Sequence, residues 1–197
     1  MSGFIKRKTL KLRNSIARKL ASGIYENCQL YNDIITHTPR PMIIEAKTHF
    51  QNQTNLNAVE IGVAQADNSL SMLEELVLGK LWLIDPYAHV GAMADYALAK
   101  KKLAAYQQVK WEIKTSSQAA KEIDEPLDLV YIDGSHDYEI VRDDLKLYYP
   151  LVKAGGMIGG HDYQNYWWGV IKAVDEFSEQ NRLKLTVRPP DWWIIKP

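Results

Sequence analysis

The stretch "LDLVYIDGSHDYEIVRDDLKLYYPLVKAGGMIGGHDY" (Leu127 to Tyr163) decides how the rest of the chain is read. It opens on an apolar run, "LDLVYID", that stops at an acid followed by a glycine, which is how a buried strand ends. "YEIVRDDLKLYYPLV" behind it reads as a helix, and "GGMIGG" (Gly155 to Gly160) as a further strand. Strand, helix, strand is the unit that joins two parallel neighbours in a sheet. The tripeptide HDY occurs at both strand ends, as His136 to Tyr138 and as His161 to Tyr163. Nothing else around the two copies matches, so they are not a repeat. The first begins just after a strand end and the second at one.

Working outward, the same alternation recurs. "NAVEIG" (Asn57 to Gly62) reads as a strand followed by a helix near Ser69 to Val77. "KLWLID" (Lys80 to Asp85) precedes an Ala-rich helix from about Gly91 to Gln107, and "KWEIKT" (Lys110 to Thr115) precedes a short helix from Ser117 to about Ile123. A helix from about Trp168 to Gln180 follows the Gly-rich strand, and "LKLTVRPPDWWII" closes the chain as two β-rich runs about Pro189 and Pro190. The expectation is an α/β, Rossmann-like sheet of five parallel strands with a C-terminal antiparallel hairpin and helices on both faces. Residues 57–197 form this domain. Residues 1–56 form an N-terminal helical extension and linker, with helical spacing from Ser15 to about Ile35 broken by the prolines of "THTPRPM".

The 197 residues suit one full-sized domain, and an apolar content of 46% with 24% charged residues argues against disorder and coiled coil. No apolar run approaches the roughly 18 residues of a membrane span, and the N-terminus lacks the apolar stretch of a signal peptide. The single cysteine, Cys28, has no internal partner, so a reducing compartment and a cytoplasmic location are expected. The net charge of zero hides an asymmetry: Lys6, Arg7, Lys8, Lys11, Arg13, Arg18 and Lys19 stand in the first twenty residues without one acid. Two readings stay open, a solvated helix or a basic amphipathic segment in weak contact with a membrane surface. A transit peptide would look similar. So small a cluster is weak ground for nucleic-acid binding, and no nucleic-acid partner is expected.

In parallel sheets ligands sit beyond the carboxyl ends of the strands, near the point where strand order reverses. The strand ends here are polar: Glu60 to Gly62, Asp85-Pro86, Thr115-Ser116, Asp133-Gly134 and His161-Asp162. "VEIGVAQADNS" (Val59 to Ser69) is a small-residue loop between strand and helix, where a ligand can approach the backbone and free amides. Glu60 can accept from those amides or from a cationic ligand. Asp85 suits the two hydroxyls of a ribose, or else merely starts an Asp-Pro turn. Asp133 and Asp162 read equally as helix caps, His136 as a surface residue, and His161 as the partner of a neighbouring carboxylate. Four such groups at adjacent strand ends favour a site. The pairs Trp167-Trp168 and Trp192-Trp193 read first as core and second as an acceptor wall. "HVGAMADYALAKKKLAAY" (His89 to Tyr106) reads as an exposed helix or a lid.

The opening stretch resembles the class I S-adenosylmethionine-dependent methyltransferases, and within them the macrocin-type group of small-molecule and sugar O-methyltransferases. That group shows a strand ending "IDG-x-H-x-Y", a helix with "V-x-x-D-L", a "P-L-(L/V)-x-x-G-G" turn, and a strand ending in an acidic pair or "HDY". The matching residues are Asp133, Gly134, His136, Tyr138, Val141, Asp144, Leu145, Pro150, Leu151, Gly155, Gly156, His161, Asp162 and Tyr163. The resemblance runs from about Ala58 to Tyr166. It implies that Glu60, Gly62, Ala64 and Ser69 hold the methionine part of S-adenosylmethionine, and Asp85 its ribose. Ser116 and Ser117 flank the adenine, and Asp133 borders the cofactor. It further implies a divalent metal on Asp133, His161 and Asp162, with His136 as general base beside Asp133. Family members usually have Gly where this chain has Ala66, so a methyl narrowing the loop and a displaced cofactor are expected.

A metal suits this chemistry, because a hydroxyl is far too weak an acid at neutral pH and a divalent cation stabilises its alkoxide. Mg²⁺ or Mn²⁺ is expected first; an imidazole in the set also admits Fe²⁺ or Zn²⁺. The acceptor is a small hydroxylated molecule, possible sugars included, and a homodimer is a reasonable assembly. Two competing readings remain: a metal-dependent hydroxylase, since two histidines with two aspartates also suit non-haem iron, and a non-catalytic module that binds the cofactor.

Overall fold

The C-terminal hairpin shows best how the sheet is assembled. β6 (Leu185–Arg188) and β7 (Asp191–Ile195) pair antiparallel, and β7 inserts between β6 and β5 (Val152–Gly160), so that the hairpin strand that comes first in the chain lies on the outside edge. In this computed structural model the described residues are 39–197 and belong to a compact unit, Thr38–Pro197. The expected helix from Ser15, the basic segment and Cys28 lie outside the described residues.

β1 (Leu56–Ile61), β2 (Leu78–Ile84), β3 (Val109–Glu112) and β4 (Leu127–Ile132) join β5 in a parallel array, and the whole sheet runs β3-β2-β1-β4-β5-β7-β6. Five parallel strands closed by an antiparallel hairpin are what the sequence predicts. The order reverses between β1 and β4, which sets the ligand crevice at their carboxyl ends. All six residues of β4 are buried, as a central strand covered on both faces requires. Its side chains alternate between two layers: Leu129 and Tyr131 face one, Val130 and Ile132 the other, and the hairpin likewise splits Trp193 from Trp192.

The helices bury narrow apolar stripes. α5 (Tyr138–Tyr148) buries Val141, Leu145 and Tyr148, and α6 (Trp168–Gln180) buries Val170, Ala173, Val174 and Phe177, both at i, i+3/i+4, i+7 spacing, and the two pack together. On the opposite face lie α1 (Pro41–His49) and α2 (Asp67–Glu75). α3 (Ala92–Lys102) is mostly exposed.

Three details differ from the sequence reading. The second proline of "THTPRPM" starts a helix, with extended Arg40 as its N-cap and Pro41 in its first turn, where a missing N–H costs nothing. This helix, read from sequence as part of the extension, lies within the compact unit and packs on α2, β5 and β7. The third strand stops at Glu112. Thr115 is instead the N-cap of α4 (Ser116–Ala119), in a reciprocal capping box with Gln118, because a polar "TSSQ" run satisfies helix-start amides better than a ladder.

Gly62 holds the crevice together. Its φ is +83°, and a Cβ there would collide with the backbone of Asp133 and Gly134. The ends of β1 and β4 can converge only because this residue has no side chain.

Candidate active site

A cleft of about 820 Å³ opens over the ends of β1, β2 and β4. Glu60, Gly62, Ala64, Asp85, Ser116, Ser117 and Asp133, all expected at a cofactor, line it. Ser69 does not; it sits behind Glu60 and donates to Oε2, while Asn68 Nδ2 donates to Oε1 at 2.9 Å. Burial pushes the Glu60 carboxyl up to about 7, against the lowering effect of these two bonds. A cationic group entering the cleft would therefore meet a carboxylate ready to ionise against it.

Asp85 is fixed by three backbone donors. Oδ2 accepts from the amides of Val63 at 2.9 Å and Ala64 at 3.1 Å, and Oδ1 from Tyr87 at 2.7 Å. This combines the two readings of the residue: its carboxylate shapes the turn and still presents lone pairs to the cleft. The loop requires Ala64, Ala66 and Tyr87 in the left-handed region, at φ 45°, 62° and 45°. Ala66 does not narrow the crevice, contrary to expectation. Its methyl is buried in the core beneath α2 and is absent from the cleft wall, and its left-handed backbone is a conformation that glycine adopts at less cost. At the wall where the sequence places the adenine, Ser116 Oγ donates to Asp144 Oδ1, whose carboxyl burial raises to about 6.

The other end of the cleft is an acidic cluster. Asp133 Oδ1 lies 3.7 Å from His161 Nδ1, which lies 3.1 Å from Asp162 Oδ1, and donor atoms of all three residues fall within 4.8 Å of one another. The outer carboxylate oxygens are engaged elsewhere. Arg40 Nη1 donates to Asp133 Oδ2 at 2.6 Å, and His136 Nε2 to Asp162 Oδ2 at 2.7 Å. Asp133 Oδ1, His161 Nδ1 and Asp162 Oδ1 are thus turned towards one another, a mixed oxygen and nitrogen set that fits a divalent transition ion or Mg²⁺. Asp162 holds φ 64°, a conformation that is uncommon outside glycine and gathers at functional positions.

Neither Asp133 nor Asp162 caps a helix: α5 starts from Asp137 and α6 from Trp167. His136 is half-buried, its ring stacked on Trp167 at 3.6 Å, and the hydrogen bond to Asp162 raises its pKa against partial burial. Behind the cluster lies Asp191, wholly buried. Its Oδ2 accepts from the amide of Met42 at 2.9 Å and its Oδ1 from the Tyr131 hydroxyl at 3.0 Å, and the latter stands 3.9 Å from the otherwise unpartnered His161 Nε2. Trp192 and Trp193 are core, whereas Trp168 is 64% exposed.

Arg40 and Asp191 are the site residues that the sequence does not disclose. A bridge between residues 93 positions apart leaves no spacing to read. Asp191 follows two prolines in a hairpin turn, where an acid is ordinary. The one available signal is that this acid directly precedes the apolar run "WWII".

The family model of a methyltransferase domain matches residues 59–163, more than half of the chain. An uncharacterised protein of Acanthamoeba polyphaga mimivirus is 28% identical over 142 residues, covering 68% of this chain and 64% of that protein, so this chain spans less than two thirds of the relative's length. Among solved structures, a putative caffeoyl-CoA O-methyltransferase from Staphylococcus aureus superposes with a TM-score of 0.66 at 16% identity, covering 89% of this chain and 91% of the other. An O-methyltransferase from Bacillus cereus in complex with SAH gives 0.60 at 15%, again over 89% and 91%. At these identities the likeness is one of fold.

Proposed function

The chain belongs to the methyltransferase-domain family, and on that premise we propose that it transfers the methyl group of S-adenosylmethionine to a hydroxyl oxygen of a small acceptor, with a divalent cation at the acceptor end. The observation that carries this reading is the position of Asp133, whose carboxylate belongs both to the cofactor-sized cleft and to the Asp133–His161–Asp162 cluster. One residue thereby links the place where a methyl donor would lie to the place where a hydroxyl would be activated. Family membership favours methyl transfer over oxidative chemistry.

Bound in the cleft, the cofactor supplies a methyl group on a positively charged sulfur. Glu60 in its ionised form accepts from the ammonium of the methionine part, with Asn68 and Ser69 holding the carboxylate in place. Asp85 accepts from the ribose hydroxyls with the lone pairs that the loop amides leave unused. Ser116, Ser117 and Asp144 flank the base. Asp133, His161 and Asp162 would hold the cation, which supplies Lewis acidity that lowers the pKa of a hydroxyl. The nitrogen ligand shifts the preference towards Mn²⁺, Fe²⁺ or Zn²⁺, and Mg²⁺ fits if His161 stays outside its coordination shell. His136, with Nε2 on Asp162, has Nδ1 with which to take the proton; the bond to Asp162 raises its basicity. Trp167, stacked on His136, and exposed Tyr166, packed edge-on against Trp167, favour an acceptor with a flat or sugar-like face.

Isothermal titration with S-adenosylhomocysteine and the Asp133→Asn variant test this reading. The wild type should bind the ligand one to one. Asp133→Asn should retain binding within about fivefold, the scale of one lost hydrogen-bond contribution, while losing methyl transfer to a hydroxylated acceptor and binding of Mn²⁺. Absence of binding at millimolar ligand rejects the cofactor, and an unchanged transfer rate in Asp133→Asn rejects the metal.

A further inference from the structure

Arg40 lies outside the matched family segment, yet it lines the cleft and pairs with Asp133 at the end where the cluster lies. Seven acidic side chains line the same cleft, and Arg40 is the one lysine or arginine among the described residues to do so. A methionine moiety carries a carboxylate as well as an ammonium. In a wall this acidic the one lysine or arginine side chain that could compensate such a carboxylate is Arg40, whose guanidinium is permanently cationic and offers five donors in a planar fork. Nη1 donates to Asp133 Oδ2 at 2.6 Å and to the Tyr131 hydroxyl at 3.3 Å, and the buried Nε has no partner. The guanidinium therefore has donor capacity to spare, and its present main partner is a proposed metal ligand.

We propose that Arg40 couples cofactor binding to metal binding. Without cofactor it neutralises Asp133, engaging one carboxylate oxygen and placing a positive charge beside the site, which weakens any cation there. The amino-acid carboxylate of the cofactor competes for the guanidinium, frees Asp133 and raises cation affinity. This rests on the reading of the cleft and cluster given above. Linkage makes the effect reciprocal: the metal tightens the cofactor by the same factor.

Mn²⁺ binding, followed by electron paramagnetic resonance of the free ion, tests this with three states of the wild-type protein: alone, saturated with S-adenosylhomocysteine, and saturated with 5′-methylthioadenosine, which has the same nucleoside but no amino-acid group. The expected result is that S-adenosylhomocysteine lowers the Mn²⁺ Kd about tenfold, within the usual range of coupling, whereas 5′-methylthioadenosine changes it less than twofold. In Arg40→Met the ligand-free Kd should already be low, and S-adenosylhomocysteine should no longer shift it. Equal Mn²⁺ affinity in all three wild-type states overturns the coupling and leaves the metal site standing. Equal tightening by both nucleosides overturns the role of Arg40. No Mn²⁺ binding in any state overturns the metal site and the coupling together. The wild-type comparison needs no folded variant.

Discussion

Glu60 is the residue whose chemistry is most exposed to a simple test. Burial holds its carboxyl at about 7, above the ordinary carboxylate range, and in the function proposed above the ammonium of the cofactor binds its ionised form. Below pH 7 binding must expel a proton, so the affinity for S-adenosylhomocysteine should fall by up to about tenfold per pH unit between 7 and 5. Calorimetry at pH 6 in two buffers of different ionisation enthalpy should register the released proton. Glu60→Gln should bind more weakly at pH 8 and show little pH dependence. At Ala66 the opposing terms nearly cancel: glycine removes a left-handed cost of about 1–2 kcal/mol and loses a buried methyl worth about 0.8 kcal/mol. Ala66→Gly should therefore leave stability within about 1 kcal/mol and leave the ligand Kd unchanged, since the methyl faces the core. These positions were legible because an acid or a small residue at the end of an apolar run is a local pattern. What the pattern could not tell was direction: Ser69 serves Glu60 from behind, and the methyl of Ala66 points away from the cleft.

At the scale of elements, strand and helix periodicity disclosed the five parallel strands and the closing hairpin, and the helix Trp168–Gln180 falls where its pattern put it. Elements that owe their form to distant partners were harder to see. α1 is short and weakly amphipathic, and its place is fixed by burying Met42 and Ile43 and by the bond from the Met42 amide to Asp191. That bond ties the first helix of the domain to its last strand, beneath the acidic cluster. Asp191→Ala leaves the Met42 amide and the Tyr131 hydroxyl buried without an acceptor and should cost about 2–4 kcal/mol in urea unfolding. Asp191→Asn keeps an acceptor and should cost less than half as much. Equal losses would mean that the charge, not the hydrogen bonds, holds α1 in place.

For the molecule as a whole, several buried acids impose one pH trend. Burial raises Glu60 to about 7 and Asp144 and Asp191 to about 6, and hydrogen bonding to Asp162 raises His136. A group whose folded pKa lies above its unfolded value adds stability that is complete below the unfolded pKa and is lost as pH rises through the folded one. All four act in the same direction, so the ligand-free protein in chelator should melt at a higher temperature at pH 5.5 than at pH 7.5. The basic segment of the N-terminus, plain in the sequence, lies outside the described residues. The cleft, by contrast, was foreseeable from the polar residues at the strand ends, because a parallel sheet takes its ligands beyond the carboxyl ends of its strands. The central claim is that this cleft and the cluster beside it form one methyl-transfer centre joined at Asp133. A crystal structure with S-adenosylhomocysteine and Mn²⁺ tests it most directly. The account predicts the ribose on Asp85, the amino-acid end between Glu60 and Arg40, and an anomalous manganese peak held by Asp133, His161 and Asp162. A ligand outside the cleft, or manganese bound away from those three residues, contradicts it.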